Sequence, residues 1–198
     1  KKYSKPRNTM FFYKNDIEDV DIVEEIPDYP VNLFLSGSGY FKKITPQSLR
    51  MSSEQKLKEG DSIIIHKEAT NLTELLFFTD KCQVYKSRAS AFDDTKASVL
   101  GDYVPAKLGF DEGEELLYMA DTIDYEGYML FFFENGKAAK VPLKAYETKT
   151  NRKKLANAYS GKSKLCGMLY ISEDIDIMLR SSNGKVIIFN TSLLNPKS

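Results

Sequence analysis

The chain has 198 residues, 42% of them hydrophobic, which supplies apolar material for a packed core and excludes wholesale disorder. Its 28 lysines and arginines balance 28 aspartates and glutamates, which excludes a histone-like polycation but says nothing against local patches. The longest apolar run, residues 129–133, is far short of the roughly 20 residues of a membrane-spanning helix. A cytoplasmic protein with no membrane partner is therefore expected.

The N-terminal five residues are followed by no apolar run of signal-peptide type. Residues 16–28 hold seven acids and no base. The first predicted element is a hairpin over residues 31–43, two apolar runs joined at Ser38-Gly39. Residues 57–65 then carry Gly60-Asp61 into the apolar run Ile63-Ile64-Ile65. A second hairpin spans 74–86 around Lys81-Cys82, whose turn geometry is not obvious from residue type. Residues 110–119 repeat the pattern of a glycine turn leading into a strand. The third hairpin, 128–140, turns at Asn135-Gly136, and a glycine-containing strand follows at 164–171. The fourth, 176–188, turns at Asn183-Gly184. Asn-Gly is the strongest short hairpin signal, and a two-residue loop of this kind wants φ > 0 at both central positions.

Gly39, Cys82, Gly136 and Gly184 stand 43, 54 and 48 residues apart, the size of a propeller blade. The first strand of each hairpin is apolar on both faces, as at Leu75 to Phe78, which suits sheets buried between two neighbours. The predicted fold class is therefore all-β and propeller-like, with an eight-strand sandwich as the structural rival. No amphipathic helix is predicted; residues 144–159 allow a turn or two. Hairpins near residues 31, 74, 127 and 174 give blades over 31–71, 74–124 and 127–173, with 174–198 incomplete. Either the chain is a piece of something longer, or residues 10–13 complete the last blade.

The parts of an enzyme are missing from the pattern. His66 is the single histidine and sits at the end of an apolar strand, the setting of a structural histidine. No phosphate-cradling glycine loop is present. The acidic turn 111–115 lacks the alternation of a calcium loop and reads as solvated. Cys82 and Cys166 lie far apart without a CxxC, which argues against zinc and suits two buried, reduced thiols.

Residues 2–9, the acidic stretch 17–20, the first hairpin Leu35-Ser36-Gly37-Ser38-Gly39-Tyr40-Phe41-Lys42-Lys43, the strand Leu76-Phe77-Phe78-Thr79 and the turn Asn135-Gly136-Lys137-Ala138 together resemble, in order and spacing, the C-terminal domain of the A subunit of bacterial type II DNA topoisomerases, gyrase or topoisomerase IV. The resemblance covers nearly the whole chain. It implies a β-pinwheel of about four blades over residues 16–198, preceded by a linker (1–15) from the breakage-reunion domain, in which neighbouring blades exchange strands. It further implies no cofactor in this domain, with ATP and magnesium used elsewhere in the intact enzyme. The implied partners are double-stranded DNA, the remainder of the A subunit, and the ATPase-bearing B subunit of the intact heterotetramer, in the cytoplasm at the nucleoid. The strand-cleaving tyrosine of the family lies outside this segment. The gyrase version carries a signature after the first hairpin: a glutamine, two bases, two glycines, a lysine and a glycine. Gln55, Lys56 and Gly60 fit it, whereas Leu57, Glu59 and Asp61 do not. That departure favours a topoisomerase IV-like or degenerate reading, in which Glu59 and Asp61 repel DNA.

The implied DNA contacts fall on bases. Residues 144–164 hold seven bases (Lys144, Lys149, Arg152, Lys153, Lys154, Lys162, Lys164) against Glu147 alone, and form the expected principal anchor. Bases also recur after the hairpin turns, at Lys42, Lys43, Lys86, Arg88, Lys140 and Lys185. The predicted contacts among these are Lys42, Lys43, Lys86 and Arg88, to which the rim loops add Arg50, Lys56, Lys58, Lys96 and Lys107. A curved basic edge suits a duplex that carries a phosphate charge about every 1.7 Å. No recognition helix implies base-specific readout. The alternative is a protein-interaction propeller without DNA binding.

Overall fold

The computed structural model describes residues 26–52, 54–148 and 153–197. The chain runs β1 (Pro30–Ser36), β2 (Tyr40–Ile44), α1 (Pro46–Met51), β3 (Ile63–Thr70), β4 (Glu74–Thr79), β5 (Val84–Arg88), β6 (Asp102–Tyr103), α2 (Val104–Leu108), β7 (Leu116–Thr122), β8 (Tyr128–Phe133), β9 (Ala138–Pro142), β10 (Lys154–Leu155), β11 (Leu165–Ile171), β12 (Asp176–Arg180) and β13 (Val186–Asn190). The fold is nearly all β. Short 3-10 turns follow β5, β9 and β13, and their first N–H groups tie each hairpin at its open end. Ala89 donates to Thr73, Leu143 to Gly127 and Thr191 to Ile175, each at 2.9 Å.

The hairpin turns depart from the expected two-residue form. Gly39, Gly136 and Gly184 are left-handed (φ 82°, 77° and 83°), but neither Asn135 nor Asn183 is. Each glycine instead closes a type I turn, donating to Ser36, Phe133 or Ser181 three residues back. The asparagines hold these turns from the side, Asn135 Oδ1 accepting from the Lys137 N–H at 3.1 Å. Cys82 fills the same position in the second hairpin with φ 57°, which makes it a non-glycine residue in a glycine's place. It is half-buried and Cys166 is exposed, so the expectation of two buried thiols fails on both counts.

Four sheets follow one another, in strand order β3-β1-β2-β6, β10-β5-β4-β7, β11-β8-β9 and β12-β13. The outer strand of the first sheet, β6, arrives only after the second hairpin is complete. That of the second sheet, β10, arrives only after the third. This is strand exchange between neighbours, written in the pairings Tyr40↔Tyr103 and Lys154↔Tyr85. β4 shows why its sequence is apolar throughout. Leu75 and Phe77 pack with Val31, Leu33, Leu35 and Phe41 of the first sheet. Leu76 and Phe78 point the other way, onto Met129, Phe131 and Phe133 of the third. A sandwich, with one core between two sheets, does not place sheets on both faces of β4.

Lys43, Lys86 and Lys140 occupy the same position in three successive repeats, four residues past the left-handed turn residue. At Lys43 and Lys140 this position is a buried strut and not a solvated charge, whereas Lys86 is half-buried. Lys43 is buried against Asn71 Oδ1 (2.7 Å) and Asp94 (3.2 Å). Lys140 is buried against Asp174 at 2.6 Å and lies over the Tyr128 ring at 4.3 Å. The bond from Lys140, followed by one from Thr191, holds the Asp174 carboxyl below the usual carboxylate range. A depressed carboxylate adds stability above its unfolded-state pKa of about 3.9, and that stability is lost as pH falls through the lower folded value. Asp174→Asn is therefore expected to lower the urea midpoint at pH 7. The gap to the parent should close below about pH 4; a gap that persists at pH 2 would remove the pair as its cause.

Candidate nucleic-acid interface

Two of the predicted contacts are not on the surface. Lys42 is 1% exposed and Lys43 3% exposed. Lys42 Nζ donates to Gln55 Oε1 (3.1 Å) and to the carbonyls of Lys56 (2.8 Å) and Ala97 (3.0 Å), so it binds two loops to β2. Such an ammonium, with its donors taken up by protein oxygens, is not available to a phosphate. Alternation along β2 would have sent one of two adjacent lysines outward, but partners wait for both.

The exposed predicted bases among the described residues are Arg50, Lys56, Lys58, Lys96, Lys107, Arg88, Lys144, Lys153, Lys154, Lys162 and Lys164, while Lys86 is half-buried. Lys149 and Arg152 lie outside the described residues. Lys144 is paired with Glu147 at 3.7 Å. Lys154 is engaged more firmly. It binds Asp111 at 2.7 Å and covers the Tyr85 ring at 5.2 Å, so it clasps β10 to the loop before β7. Asp111 first, then Tyr85, raises the Lys154 pKa, and Lys154 in turn lowers that of Asp111. The acidic turn 111–115 is thus a structural joint. Its Glu114 is buried and accepts from Thr79 Oγ1, Tyr85 OH (2.7 Å) and the Asp111 N–H (2.9 Å). His66 stacks on Phe34 with centroids 4.2 Å apart and meets Asn32 Oδ1 at 3.2 Å.

The convergence that sequence spacing does not reveal is a cleft of about 760 Å³ beside the second hairpin. Lys86 and Arg88 from β5, Lys107 from α2 and Lys153 from the approach to β10 line it, against one lining acid, Glu74. Its apolar wall is Ala91, Phe92 and Leu108. Glu74 is shared: it accepts from Arg88 at 3.4 Å and from the Tyr125 hydroxyl. Burial first, then Glu74, pushes that phenol's pKa up. Lys86 donates to Thr148 at 3.1 Å and lies over the Tyr125 ring at 5.0 Å. Burial holds its ammonium below the ordinary lysine range. Lys107 meets Asp102 at 3.4 Å. These exposed or half-exposed pairs are weak and exchangeable.

No family model matches the chain. Among curated proteins it is similar to the DNA gyrase A subunit of Streptomyces coelicolor, 26% identical over 206 residues, covering 96% of this chain and 24% of that protein. It is also similar to the DNA topoisomerase 4 A subunit of Staphylococcus aureus, 24% identical over 202 residues, covering 98% of this chain and 25% of that protein. The chain thus spans about a quarter of the length of these relatives. Among solved structures, the C-terminal domain of DNA topoisomerase IV superposes with a TM-score of 0.75 at 22% identity, over 87% of this chain and 55% of that one. The E. coli ParC C-terminal domain gives 0.60 at 16% identity, over 82% and 65%. In sequence the chain is similar to these gyrase and topoisomerase IV A subunits, and in fold to the C-terminal domains of topoisomerase IV and ParC. Its fold is accordingly the β-pinwheel of those C-terminal domains.

In this pinwheel the segment matching the gyrase signature is a loop tied against the first sheet. Lys42 holds Gln55 and the Lys56 carbonyl, and the Lys56 N–H donates to Ala97 at 2.9 Å, which brings Lys56 beside the Lys96 loop. Asp61, read from sequence as a source of repulsion, has a structural task. Its Oδ1 accepts from the N–H groups of Ser38 (3.0 Å) and Ser62 (2.8 Å) and so fixes the first hairpin turn. Lys58 lies over Tyr40 at 4.8 Å, next to the half-exposed Tyr103 ring. Among the described residues, no group of three or more His, Cys, Asp or Glu side chains is placed to hold a metal, and no helix is long and apolar enough to cross a membrane.

Proposed function

We propose that this domain binds double-stranded DNA without reading its sequence, bends it along a basic edge, and serves a type II topoisomerase whose catalytic residues, ATP and magnesium sites lie in other parts of the enzyme. The domain takes in residues 16–198 after a linker at 1–15, with about four blades. It works in the cytoplasm, at the nucleoid, with the ATPase-bearing B subunit in the same heterotetramer as the remainder of its own A subunit. The observation that carries this reading is the cleft in which four cations from three separate segments meet one acid. Dispersed bases are ordinary; cations brought together from distant parts of a chain repel one another unless a polyanion relieves them. Lys56, Lys58 and Lys96 form a second basic group beside the first sheet, and Lys162 and Lys164 a third near the turn of the third hairpin, where the Glu134 N–H donates to Lys164.

Smooth bending of a 20–30 base-pair site costs on the order of 1–6 kcal/mol, which only contacts spread along the curve offset. The short basic complement at 55–61 then makes this a weak wrapper of the topoisomerase IV type. The test is a titration of random-sequence duplex across a range of salt. With roughly six phosphates neutralised, log K is expected to fall against log salt with a slope of about −5. A flat response, or affinity that varies with sequence more than with salt, refutes the electrostatic reading.

A further inference from the structure

We infer that Tyr40, Tyr103 and Lys58 form a platform that stacks an unpaired nucleobase, so that the domain holds DNA with an unpaired segment more tightly than fully paired duplex; the inference rests on the DNA-binding reading above. The platform is built by strand exchange. Tyr103 arrives on β6 and lies opposite Tyr40 of β2. The two rings are 5.2 Å apart at 39°. Tyr103 is 46% exposed, yet its ring is held in place. A Cβ on Gly39 would stand 3.6 Å from both Tyr103 Cε2 and Pro105 Cδ, so the ring lies against the bare turn. The Val104 N–H donates to the Gly39 carbonyl at 3.0 Å and fixes the residue that follows.

The fold does not require an aromatic residue at this place. The position just after the left-handed turn residue is Tyr40 in the first repeat but Gln83, Lys137 and Lys185 in the others. A tyrosine pair kept at the surface, where core packing gains little from it, fits a ligand with a flat face. Lys58 adds the charge: its Nζ lies 4.8 Å over the Tyr40 ring, and the side chain is exposed. An aromatic face beside an ammonium is complementary to a nucleotide, the ring to the base and the cation to the phosphate. In a paired duplex the faces of every internal base are covered by its neighbours, so a stacking platform takes only a base that has left the helix. Lys107, which lines the cationic cleft, lies in the last turn of α2, and Tyr103 immediately precedes that helix. The two are roughly 6 Å apart along its axis. A strand leaving the cleft thus reaches the platform within about two steps of 3.4 Å.

The experiment uses the full chain as the parent, Tyr103→Ala and Tyr103→Phe. Each is titrated at one salt concentration with a random-sequence paired duplex, and with the same duplex interrupted by a short unpaired loop that carries a fluorescent aminopurine. The parent is expected to prefer the looped duplex by on the order of ten-fold and to quench the aminopurine as it stacks. Tyr103→Ala should lose both the preference and the quenching while keeping its affinity for the paired duplex. Tyr103→Phe should keep all three. Circular dichroism checks folding; where Tyr103→Ala disturbs β6, Tyr103→Leu, which retains apolar bulk without a stacking face, takes its place. Equal affinities for the two duplexes in the parent, or an unquenched aminopurine, overturn the platform. A preference that survives Tyr103→Ala belongs to the flexibility of the loop and overturns it as well. Loss of the preference in Tyr103→Phe would mean that the hydroxyl is read and not the ring face, which overturns stacking. Absence of binding to the paired duplex in every form sinks the proposed function, and the fluorescence of the looped DNA still reports separately on the platform.

Discussion

Gly101→Ala is expected to destabilise the domain by about 3–5 kcal/mol, by acting on the exchange of β6 into the first sheet. Gly101 has φ +89°, and a Cβ built on it would lie 2.3 Å from the Phe41 carbonyl oxygen and 2.7 Å from Lys42 Cγ. The obstacle is β2 backbone on one side and, on the other, a lysine stem whose ammonium is held by three oxygens, so neither can yield cheaply. Moving Gly101 outward pulls Asp102 and Tyr103 from their pairing with Phe41 and Tyr40. Gly109→Ala is the control: φ is +67° there, but a Cβ would meet nothing within 4 Å, so only the backbone conformation is penalised, at about 1 kcal/mol. Urea denaturation of both variants separates the two terms. Equal losses would mean that close approach to β2 contributes nothing.

Reversal of Arg88, Lys107 and Lys153 to Glu is expected to weaken duplex binding at about 100 mM salt by on the order of 100-fold or more, and to bring the salt slope from about −5 toward −2, as three phosphate contacts disappear. The three side chains line one cleft yet come from β5, α2 and the approach to β10. Their intramolecular partners are exposed or half-exposed, so folding should survive. Lys153 is used in place of Lys154 because, among the described residues, its hydrogen bond to the fold is made by its carbonyl, which accepts from the Lys86 N–H at 2.7 Å. Reversing Lys154 would break the clasp to Asp111 and confuse unfolding with lost affinity. Replacing Lys56 and Lys58 by Ala should cost no more than about ten-fold, since two contacts are removed and none is made repulsive. Circular dichroism and thermal melting check that each variant is folded. A larger loss in the 56/58 variant than in the triple reversal would move the main anchor to the first sheet.

The hairpins were legible because period-2 apolar runs and glycine turns are local signals, readable at Ser38-Gly39, Asn135-Gly136 and Asn183-Gly184. The turn type was not, since an Asn-Gly pair is compatible with either a two-residue loop or a type I turn closed by a left-handed glycine, and the chain uses the latter. The exchanged strands β6 and β10 are two residues long and carry no pattern; they exist only because an edge of another sheet awaits them. The recurrence of lysine at 43, 86 and 140 was visible, but its direction was not. Period alone cannot tell a cation facing solvent from one facing Asn71 or Asp174, because the partners lie tens of residues away. The cleft was invisible for the same reason: Arg88, Lys107 and Lys153 are neighbours only after β6 has crossed back to the first sheet.

That crossing also orders events during synthesis. A ribosome delivers roughly 5–20 residues per second, N-terminus first. The first sheet cannot close its outer edge until residue 103 has emerged, and the second cannot until residue 155 has. For several seconds each nascent sheet therefore carries an open, hydrogen-bond-hungry edge next to a half-built neighbour. The first two sheets are thus finished by strands that come after their neighbours' hairpins, and the interval in which the young chain can pair wrongly is set by translation speed downstream of the edge that needs protection.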